Sequence, residues 1–267
     1  MVKTIPQKRT GRIVRFGLFA IFLTLFLFSG CKLYGIWRDY ADADAVQDEL
    51  LLYKPEVVVH IIASKEDGQE ESEDNYKEPA TVEQRSDNPT ILQLQEKYHD
   101  VCGWVTIDGT NIDYCFAKAE NNDKYLRNTL DGEYLVSGTV FLDYRCERDL
   151  AGVNSILYGH KMNNGTMFAD LSKFADKDFF SENNTGTVYL PHDTYRLEIM
   201  AYLVVSGADN VIYNSNVSQT DFISYIRSNA RLYNEMELTT DDTFLTLSTC
   251  NYEYDGARSV VVAKIVR

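Results

Sequence analysis

The chain has 267 residues, of which 45% are hydrophobic, so it can form one globular domain with a sizeable core and appended segments. A formal net charge of -14 excludes nucleic acid as the main partner, because phosphate binding needs a basic surface. The 18 Tyr and 13 Phe favour a β-rich domain, since aromatic side chains fit the half-buried faces of sheets.

The N-terminus has the charge pattern of a membrane anchor. An apolar run extends from Phe16 to Cys31 and continues past Lys32 to Trp37. Because basic flanks stay in the cytoplasm, we expect residues 1–15 to be cytoplasmic and residues 16–37 to be a retained transmembrane helix. The basic residues before the run, with no acidic residue among them, are Lys3, Lys8, Arg9, Arg12 and Arg15.

Two other interpretations of this segment remain open. It could be a cleaved signal peptide, although no small-residue cleavage site follows it. Residues 28–31 (FSGC) also resemble a bacterial lipoprotein site, in which Cys31 would carry the lipid. In all three cases the remainder of the chain faces outward.

Residues 38–87 are predicted to connect the anchor to a domain at residues 88–267. Residues 38–53 lack Gly and Pro and mix Ala, Leu and acidic residues, which is typical of a helix. Residues 64–87 are acidic and poor in large apolar residues, so they indicate a solvated linker.

The domain is predicted to be mainly β, with peripheral helices. Residues 103–107 and 111–116 flank Asp108-Gly109, a turn signal, and therefore predict a hairpin. Many short strands with few helices indicate a barrel or a sandwich. Further strands are predicted at 138–142, 155–158, 186–190, 195–205, 243–247 and 259–266, and helices at 90–100, 167–174 and 220–233.

Five cysteines and four scattered histidines argue against a structural zinc site, because no C-x-x-C pair is present. We expect neither a metal nor another cofactor. An odd count in an exported chain leaves at least one thiol unpaired. Cys102 and Cys115 lie roughly opposite each other on the predicted hairpin, so a cross-strand disulfide is an open alternative. Cys146 is expected to be inert.

Three residues carry the candidate chemistry. Cys250 ends a predicted strand, Arg258 opens the next one, and His160 follows the strand 155–158. A thiol with a pKa of about 8.5 needs a nearby cation or imidazole to form the thiolate. An imidazole can also protonate a leaving amine, and a fixed guanidinium can stabilise an oxyanion. The three side chains would suffice for acyl transfer, although spacing alone leaves open whether they meet.

These segments together resemble the sortases of Gram-positive bacteria. The similarity rests on Leu245–Cys250 (LTLSTC), on Tyr158-Gly159-His160 and on Arg258 at the start of the strand after the cysteine. Two further segments are more similar to class B than to class A: Phe141–Arg145 (FLDYR) before the histidine and Met167–Leu171 after it. The resemblance covers roughly residues 91–267.

The resemblance implies an eight-stranded sortase β-barrel and a cysteine transpeptidase that needs no metal. Cys250 would attack the Thr carbonyl of a sorting signal near the C-terminus of a secreted protein. His160 would act as acid and base, and Arg258 would position the substrate and hold the oxyanion. An amine of a peptidoglycan precursor or of a pilin would then release the acyl group.

The resemblance also implies a substrate groove, in which the backbone N–H of Asn251 would complete the oxyanion hole. The class suggests a signal similar to Asn/Ser-Pro-x-Thr-Asn/Gly. The loop from Cys250 to Arg258 is short for class B, which leaves the groove shape open. Alternatives are a thiol hydrolase with the same site and a non-catalytic peptide-binding module. The substrate-binding residues implied are Asn122, Leu126, Tyr158, Ser248, Thr249 and Asn251.

Overall fold

The computed structural model describes residues 8–55 and 87–267, with side chains from Arg15 onward in the first segment. The chain divides into two compact units, Met1–Val46 and Gln47–Arg267, which are described separately. Nearly all of the predicted acidic linker, residues 64–87, lies outside the described residues. Residues 1–7 of the predicted cytoplasmic segment, residues 1–15, also lie outside them.

A single long helix, α1 (Lys8–Leu51), occupies both the predicted membrane span and the helix predicted after it. Its stretch Arg15–Leu51 contains a window with a mean hydropathy of 2.0, long and apolar enough to cross a membrane. None of that window is buried, whereas the core helix of a soluble protein would be mostly covered. This helix is therefore a candidate membrane span.

The described residues of the second unit, 47–55 and 87–267, form nine strands and short helices. The strands are β1 (Val101–Ile107), β2 (Asp113–Ala117), β3 (Val140–Leu142), β4 (Asn154–Tyr158), β5 (Thr185–Tyr189), β6 (Thr194–Ser206), β7 (Leu232–Tyr233), β8 (Thr243–Cys250) and β9 (Ala257–Val266). The helices are α2 (Pro89–Lys97), a 3₁₀ helix (Ala169–Ala175), α3 (Lys177–Glu182) and α4 (Gln219–Asn229).

Eight of these strands close into a barrel, which confirms the predicted fold. Their order is β5-β1-β2-β3-β4-β8-β9-β6, and pairing of β5 with β6 closes the ring. Neighbouring strands are antiparallel, except that β2 pairs with β3 and β4 pairs with β8 in parallel. The two-residue β7 is added at β6, outside the closed ring.

Alternation along the strands separates the barrel interior from a second core on the outside. In β8, Leu245 and Leu247 belong to the interior cluster, whereas Phe244 packs in the outer one. Phe222 of α4 covers that outer face, with its ring centroid 5.4 Å from that of Phe244. Helix α4 begins at the N-cap Ser218, whose hydroxyl accepts a hydrogen bond from the Asp221 backbone.

The second unit begins upstream of the predicted boundary at residue 88. The Gln47 amide donates to the Asp113 carbonyl at 2.7 Å, and the Lys54 ammonium pairs with the Asp113 carboxylate at 2.6 Å. The Trp104 indole donates to the other carboxylate oxygen at 2.7 Å. Residues 47–55 are thus held on the β1–β2 hairpin.

The helix predicted at 220–233 ends earlier, at Asn229, because the chain turns to pair with β6. The Arg231 backbone N–H donates to the Tyr202 carbonyl at 2.9 Å, and Leu232 and Tyr233 form β7. Residues 167–174, predicted as a helix, contain the start of the 3₁₀ helix instead of an α-helix.

No disulfide links Cys102 and Cys115, which are both free and buried. The hairpin register places Cys115 opposite Trp104, and Cys102 falls at a bulge between Val101 and Gly103. The bulge takes Cys102 out of the regular cross-strand pairing that a disulfide there would use.

We expect Phe222→Ala to lower the free energy of unfolding by about 3–5 kcal/mol, because it removes a buried ring and leaves a cavity beneath α4. Denaturant unfolding followed by circular dichroism measures the loss. Thr220→Ala, on the exposed side of the same helix, is the matched control and should change stability by less than about 0.5 kcal/mol. Equal effects of the two substitutions would contradict the packing of α4 on β8.

Candidate active site

Three adjacent strands bring the predicted catalytic residues to one end of the sheet. Cys250, the last residue of β8, lies directly opposite Arg258 of β9. Facing residues of an antiparallel pair share one side of the sheet, with Cβ atoms about 4.5–5.5 Å apart. Strand β4 pairs with the other edge of β8, where Tyr158 is level with Ser248. The Gly159 N–H donates to the Ser248 carbonyl at 3.2 Å and so continues this pairing by one residue. His160 follows directly.

Cys250, His160 and Arg258 line a common cleft of about 360 Å³. The strand ends supply its chemical groups, and two loops complete its walls. Its other lining residues are Asn122, Asp123, Leu126, Thr139, Phe141, Arg145, Tyr158, Gly159, Gly207, Tyr213, Ser248 and Thr249.

The imidazole of His160 is held by the backbone of the opposite wall. Its Nε2 lies 2.7 Å from the Leu126 carbonyl oxygen. Because a carbonyl oxygen can only accept, Nε2 carries the proton, and Nδ1 is the nitrogen left for proton exchange. Gly159 permits this position, since a Cβ there would lie 2.6 Å from the buried Phe168 ring.

Arg258 is positioned by the backbone around it. Its Nη1 donates to the Ala257 carbonyl at 3.0 Å. Its guanidinium packs on Gly207, where an added Cβ would lie 3.4 Å from Cζ. Among the described residues, Nε and Nη2 have no hydrogen-bond partner, so both can donate to a carbonyl oxygen in the cleft.

A buried carboxylate organises the wall of the cleft. Asp143 is fully buried and accepts two hydrogen bonds from the Arg145 guanidinium, at 2.8 and 2.7 Å. The Asn122 amide and the Tyr158 hydroxyl each donate to it at 3.0 Å. Arg145 also donates to the Tyr213 carbonyl at 3.0 Å, so this one network ties four segments of the chain together.

The network determines how its members titrate. Burial would raise the pKa of Asp143, but the hydrogen bonds from Arg145, Asn122 and Tyr158 outweigh it and hold the pKa below the usual 3.8. Burial, reinforced by the nearby Asp143 charge, raises the pKa of Tyr158. Burial likewise raises the pKa of Tyr213 to about 12. Both phenols are therefore neutral hydrogen-bonding groups at physiological pH.

The cysteines of the barrel fall into two groups. Burial raises the pKa of Cys102 to about 11, of Cys115 to about 12 and of Cys146 to about 11. These thiols are protonated and inaccessible, which makes them poor nucleophiles. Cys250 is partly exposed and opens into the cleft, so it is the barrel cysteine that a substrate can reach.

Five of the six predicted substrate-binding residues line the cleft, but several have polar groups that are already engaged. Asn122 and Tyr158 use their side chains to hold Asp143, and the Ser248 hydroxyl lies 2.9 Å from that of Tyr213. Leu126 is 40% exposed and presents apolar surface. Thr249 is buried, and its hydroxyl has no hydrogen-bond partner among the described residues.

Asn251 does not line the cleft. Its backbone N–H donates to the Ala257 carbonyl at 2.9 Å, and its amide donates to Ser259 at 2.8 Å. The N–H that was expected to complete an oxyanion hole instead closes the β8–β9 loop.

Sequence reasoning missed several residues of the site. Arg145 and Asp143 belong to a segment that marked class B similarity, but nothing in the sequence indicated that Arg145 pairs with a buried carboxylate at the cleft. Tyr213 and Gly207 lie in or beside the connection after β6, which carries no recognisable motif.

A closed barrel with Cys, His and Arg around one cleft is the arrangement of a cysteine enzyme for acyl transfer. The Sortase domain model matches residues 105–266. Sortase B of Listeria monocytogenes is 33% identical over 181 residues, which cover 66% of this chain and 74% of that protein.

Solved structures agree with this match. A Streptococcus pyogenes class B sortase involved in pilus biogenesis has a TM-score of 0.61 at 30% identity, covering 65% of this chain and 96% of that one. A Staphylococcus aureus sortase B–substrate complex has a TM-score of 0.62 at 26% identity, covering 67% and 85%. The chain belongs to the sortase family, class B, whose members are cysteine transpeptidases.

We expect Asp143→Asn to lower the free energy of unfolding by about 1–2 kcal/mol at pH 7, because a neutral amide cannot replace the buried carboxylate as acceptor of the hydrogen bonds from Arg145, Asn122 and Tyr158. The folded pKa of Asp143 is depressed, so its contribution is complete above the unfolded value of 3.8 and is lost as pH falls through the folded pKa. The difference between wild type and variant should therefore shrink below about pH 4.

Denaturant titrations at a series of pH values measure this difference. Glu147→Gln, an exposed carboxylate four residues away, is the matched control and should leave the unfolding curve nearly unchanged. A wild type–variant difference that stays constant down to pH 2 would contradict the role of the ionised carboxylate.

Proposed function

We propose that this class B sortase cleaves the C-terminal sorting signal of secreted surface proteins after Thr and transfers the acyl group to an amine of a cell-wall precursor or a pilin. Cys250 would be the nucleophile, His160 the acid and base, and Arg258 the oxyanion donor. The observation that carries the proposal is the register that sets Cys250 opposite Arg258, with His160 on the same cleft.

The proposed reaction has two acyl-transfer steps. Nδ1 of His160 takes the proton of the Cys250 thiol, the thiolate attacks the Thr carbonyl carbon, and the unengaged donors of Arg258 stabilise the negative oxygen. The peptide C–N bond breaks as His160 gives a proton to the leaving amine, which leaves a thioester on Cys250. An acceptor amine then attacks the thioester carbon, its proton passes to His160, and the C–S bond breaks.

The cleft supports a peptide substrate. Ser248 precedes Cys250 by two residues on the same face of β8, a distance of about 6.7 Å along a strand. Residues upstream of the scissile Thr would therefore lie over Tyr158 and Ser248, against the exposed side chain of Leu126. The similarity to a sortase B solved with its substrate favours a sorting peptide in this cleft, and the pilus-associated relative keeps a pilin acceptor among the candidates.

The proposed location is the outer face of the cell membrane. Residues 16–37 would be a single-pass anchor, residues 1–15 would stay in the cytoplasm, and residues 88–267 would form the extracellular catalytic domain. The apolar, unburied window within Arg15–Leu51 and the basic residues before it support this orientation.

We expect the full-length chain in detergent to form a thioester with at least one peptide from a panel of sorting signals, and Cys250→Ala to form none. Intact-mass spectrometry measures the adduct. Cys31→Ser is the matched control, because Cys31 is the other exposed thiol, and it should retain the adduct. An adduct that survives in Cys250→Ala would assign the nucleophile to another residue.

Added triglycine should yield an amide product, whereas a hydrolase would release only the acid.

We expect Arg258→Lys to slow thioester formation about 100-fold, because an ammonium does not reproduce the guanidinium donors aimed at the oxyanion. The rate is measured by quenching the reaction at intervals and determining the fraction of thioester adduct by intact-mass spectrometry. Arg227→Lys, an exposed arginine on α4, is the control. A fall of less than threefold in Arg258→Lys would contradict the oxyanion role.

A further inference from the structure

The loop after Cys250 carries an exposed aromatic ring that already holds a cation. Tyr252 is 74% exposed, and the Lys161 ammonium lies 5.4 Å from the centre of its ring. Lys161 directly follows His160, and Tyr252 follows Cys250 by two residues. The contact therefore joins the two chemically active segments, beside the cleft.

The ammonium of Lys161 is weakly held. Among the described residues Lys161 has no acidic partner, so the ring face is what holds its charge. An exposed cation–π contact favours binding by only about two- to fivefold. Another ammonium group can therefore replace Lys161 without breaking an ion pair.

The charge of the loop favours cations. Glu253 is neutralised by Arg231, whose two nitrogens lie 2.8 and 2.7 Å from its oxygens. Asp255 makes no hydrogen bond or ion pair within the part of the chain that the structure describes, so its charge is uncompensated. This carboxylate is three residues from Tyr252, so the loop attracts cations.

We propose that Tyr252 docks the ammonium group of the acceptor beside the Cys250 thioester, at the position that Lys161 occupies in the free enzyme. The acceptor class is a primary ammonium on a flexible chain, either an N-terminal amine or a lysine side chain. This assignment rests on the proposed transpeptidase function and specifies how the second half of that reaction selects its amine. The simpler alternative is a surface contact between two side chains with no role in turnover.

The chemistry balances without another reactant. The docked ammonium loses one proton to water, and the neutral nitrogen attacks the thioester carbon. The new C–N bond forms, the C–S bond to Cys250 breaks, and the second proton passes to His160. Tyr252 touches only the incoming group and raises its local concentration, so it should influence aminolysis more than thioester hydrolysis.

The test uses the full-length chain in detergent, loaded with the sorting peptide that gives the largest thioester adduct. Decay of the adduct is followed by intact mass against increasing triglycine, Nα-acetyl-lysine methylamide or hydroxylamine. We expect Tyr252→Leu to lower the second-order rate constant for the two cationic amines about three- to fivefold. Hydroxylamine, which is uncharged at neutral pH, should react equally with both enzymes. The cationic amine whose rate constant falls more in Tyr252→Leu identifies the acceptor source, because each amine is compared with itself and its own basicity cancels.

Three further variants sharpen the test. Tyr252→Phe keeps the ring and should behave as wild type, and Tyr134→Leu, which removes another exposed tyrosine outside the cleft lining, should have no effect. Lys161→Met removes the competing ammonium and should raise the rate constant for cationic amines. Aminolysis that is insensitive to Tyr252→Leu, or a loss with hydroxylamine as large as with triglycine, would overturn the acceptor assignment alone. A wild-type chain that never forms a thioester would overturn the proposed function and this assignment together.

Discussion

The pairing register between β8 and β9 is the constraint on which the site depends. Side chains alternate between the two faces of a strand, so a slip of one residue would move Arg258 away from Cys250 and turn it to the opposite face of the sheet. The register is held along eight paired positions, from Thr243 opposite Ile265 to Cys250 opposite Arg258. Apolar side chains fill both faces, with Val261 inside and Val260 outside, so either core alone would resist a slip. Core packing thereby fixes the geometry of the reactive pair.

The ion pair of Asp143 and Arg145 has a different role. Removing a carboxylate from water is costly, and a hydrophobic replacement could match its contribution to stability. Here the charge gathers hydrogen bonds from Asn122, Tyr158 and Arg145, which come from three separate segments of the cleft wall. The pair therefore restricts how those segments can be arranged. Its energetic benefit lies in holding one shape of the cleft, with Tyr158 kept as a neutral donor.

Much of this arrangement could be predicted from the sequence because it follows from local rules. Alternating apolar residues marked the long strands, and Asp108-Gly109 marked the first hairpin, where Gly109 adopts a φ of 71°. Spacing left open whether Cys250, His160 and Arg258 meet, and only the resemblance to sortases implied that they do. The short β7 could not be predicted, because two residues carry no periodicity and the strand exists only through its contacts with β6.

Local sequence rules could not predict which groups the side chains and the loop backbone would contact. The Asn251 N–H was assigned to an oxyanion hole because of its position after the nucleophile, but a hydrogen bond across the loop uses it. Cys102 and Cys115 were expected to lie roughly opposite each other on the first hairpin, but a bulge between Val101 and Gly103 takes Cys102 out of that pairing. Arg145 was named only as part of the segment Phe141–Arg145 that is similar to class B sortases. Its role depends on a buried carboxylate two residues before it and on a carbonyl 68 residues after it.

The two half-reactions of the proposed mechanism would draw on parts of the fold with different rigidity. Cys250 and Arg258 lie on paired strands, and His160, one residue beyond the extended ladder, is held by the Leu126 carbonyl. In the proposed reaction, acyl-enzyme formation would therefore rely on groups fixed by the sheet. Tyr252 lies instead in the exposed loop that joins those strands. Strand positions tolerate little change without disturbing the barrel, whereas loop positions can vary while the core remains intact. A family that keeps one chemistry while changing its amine acceptor would be expected to place acceptor selection in this loop.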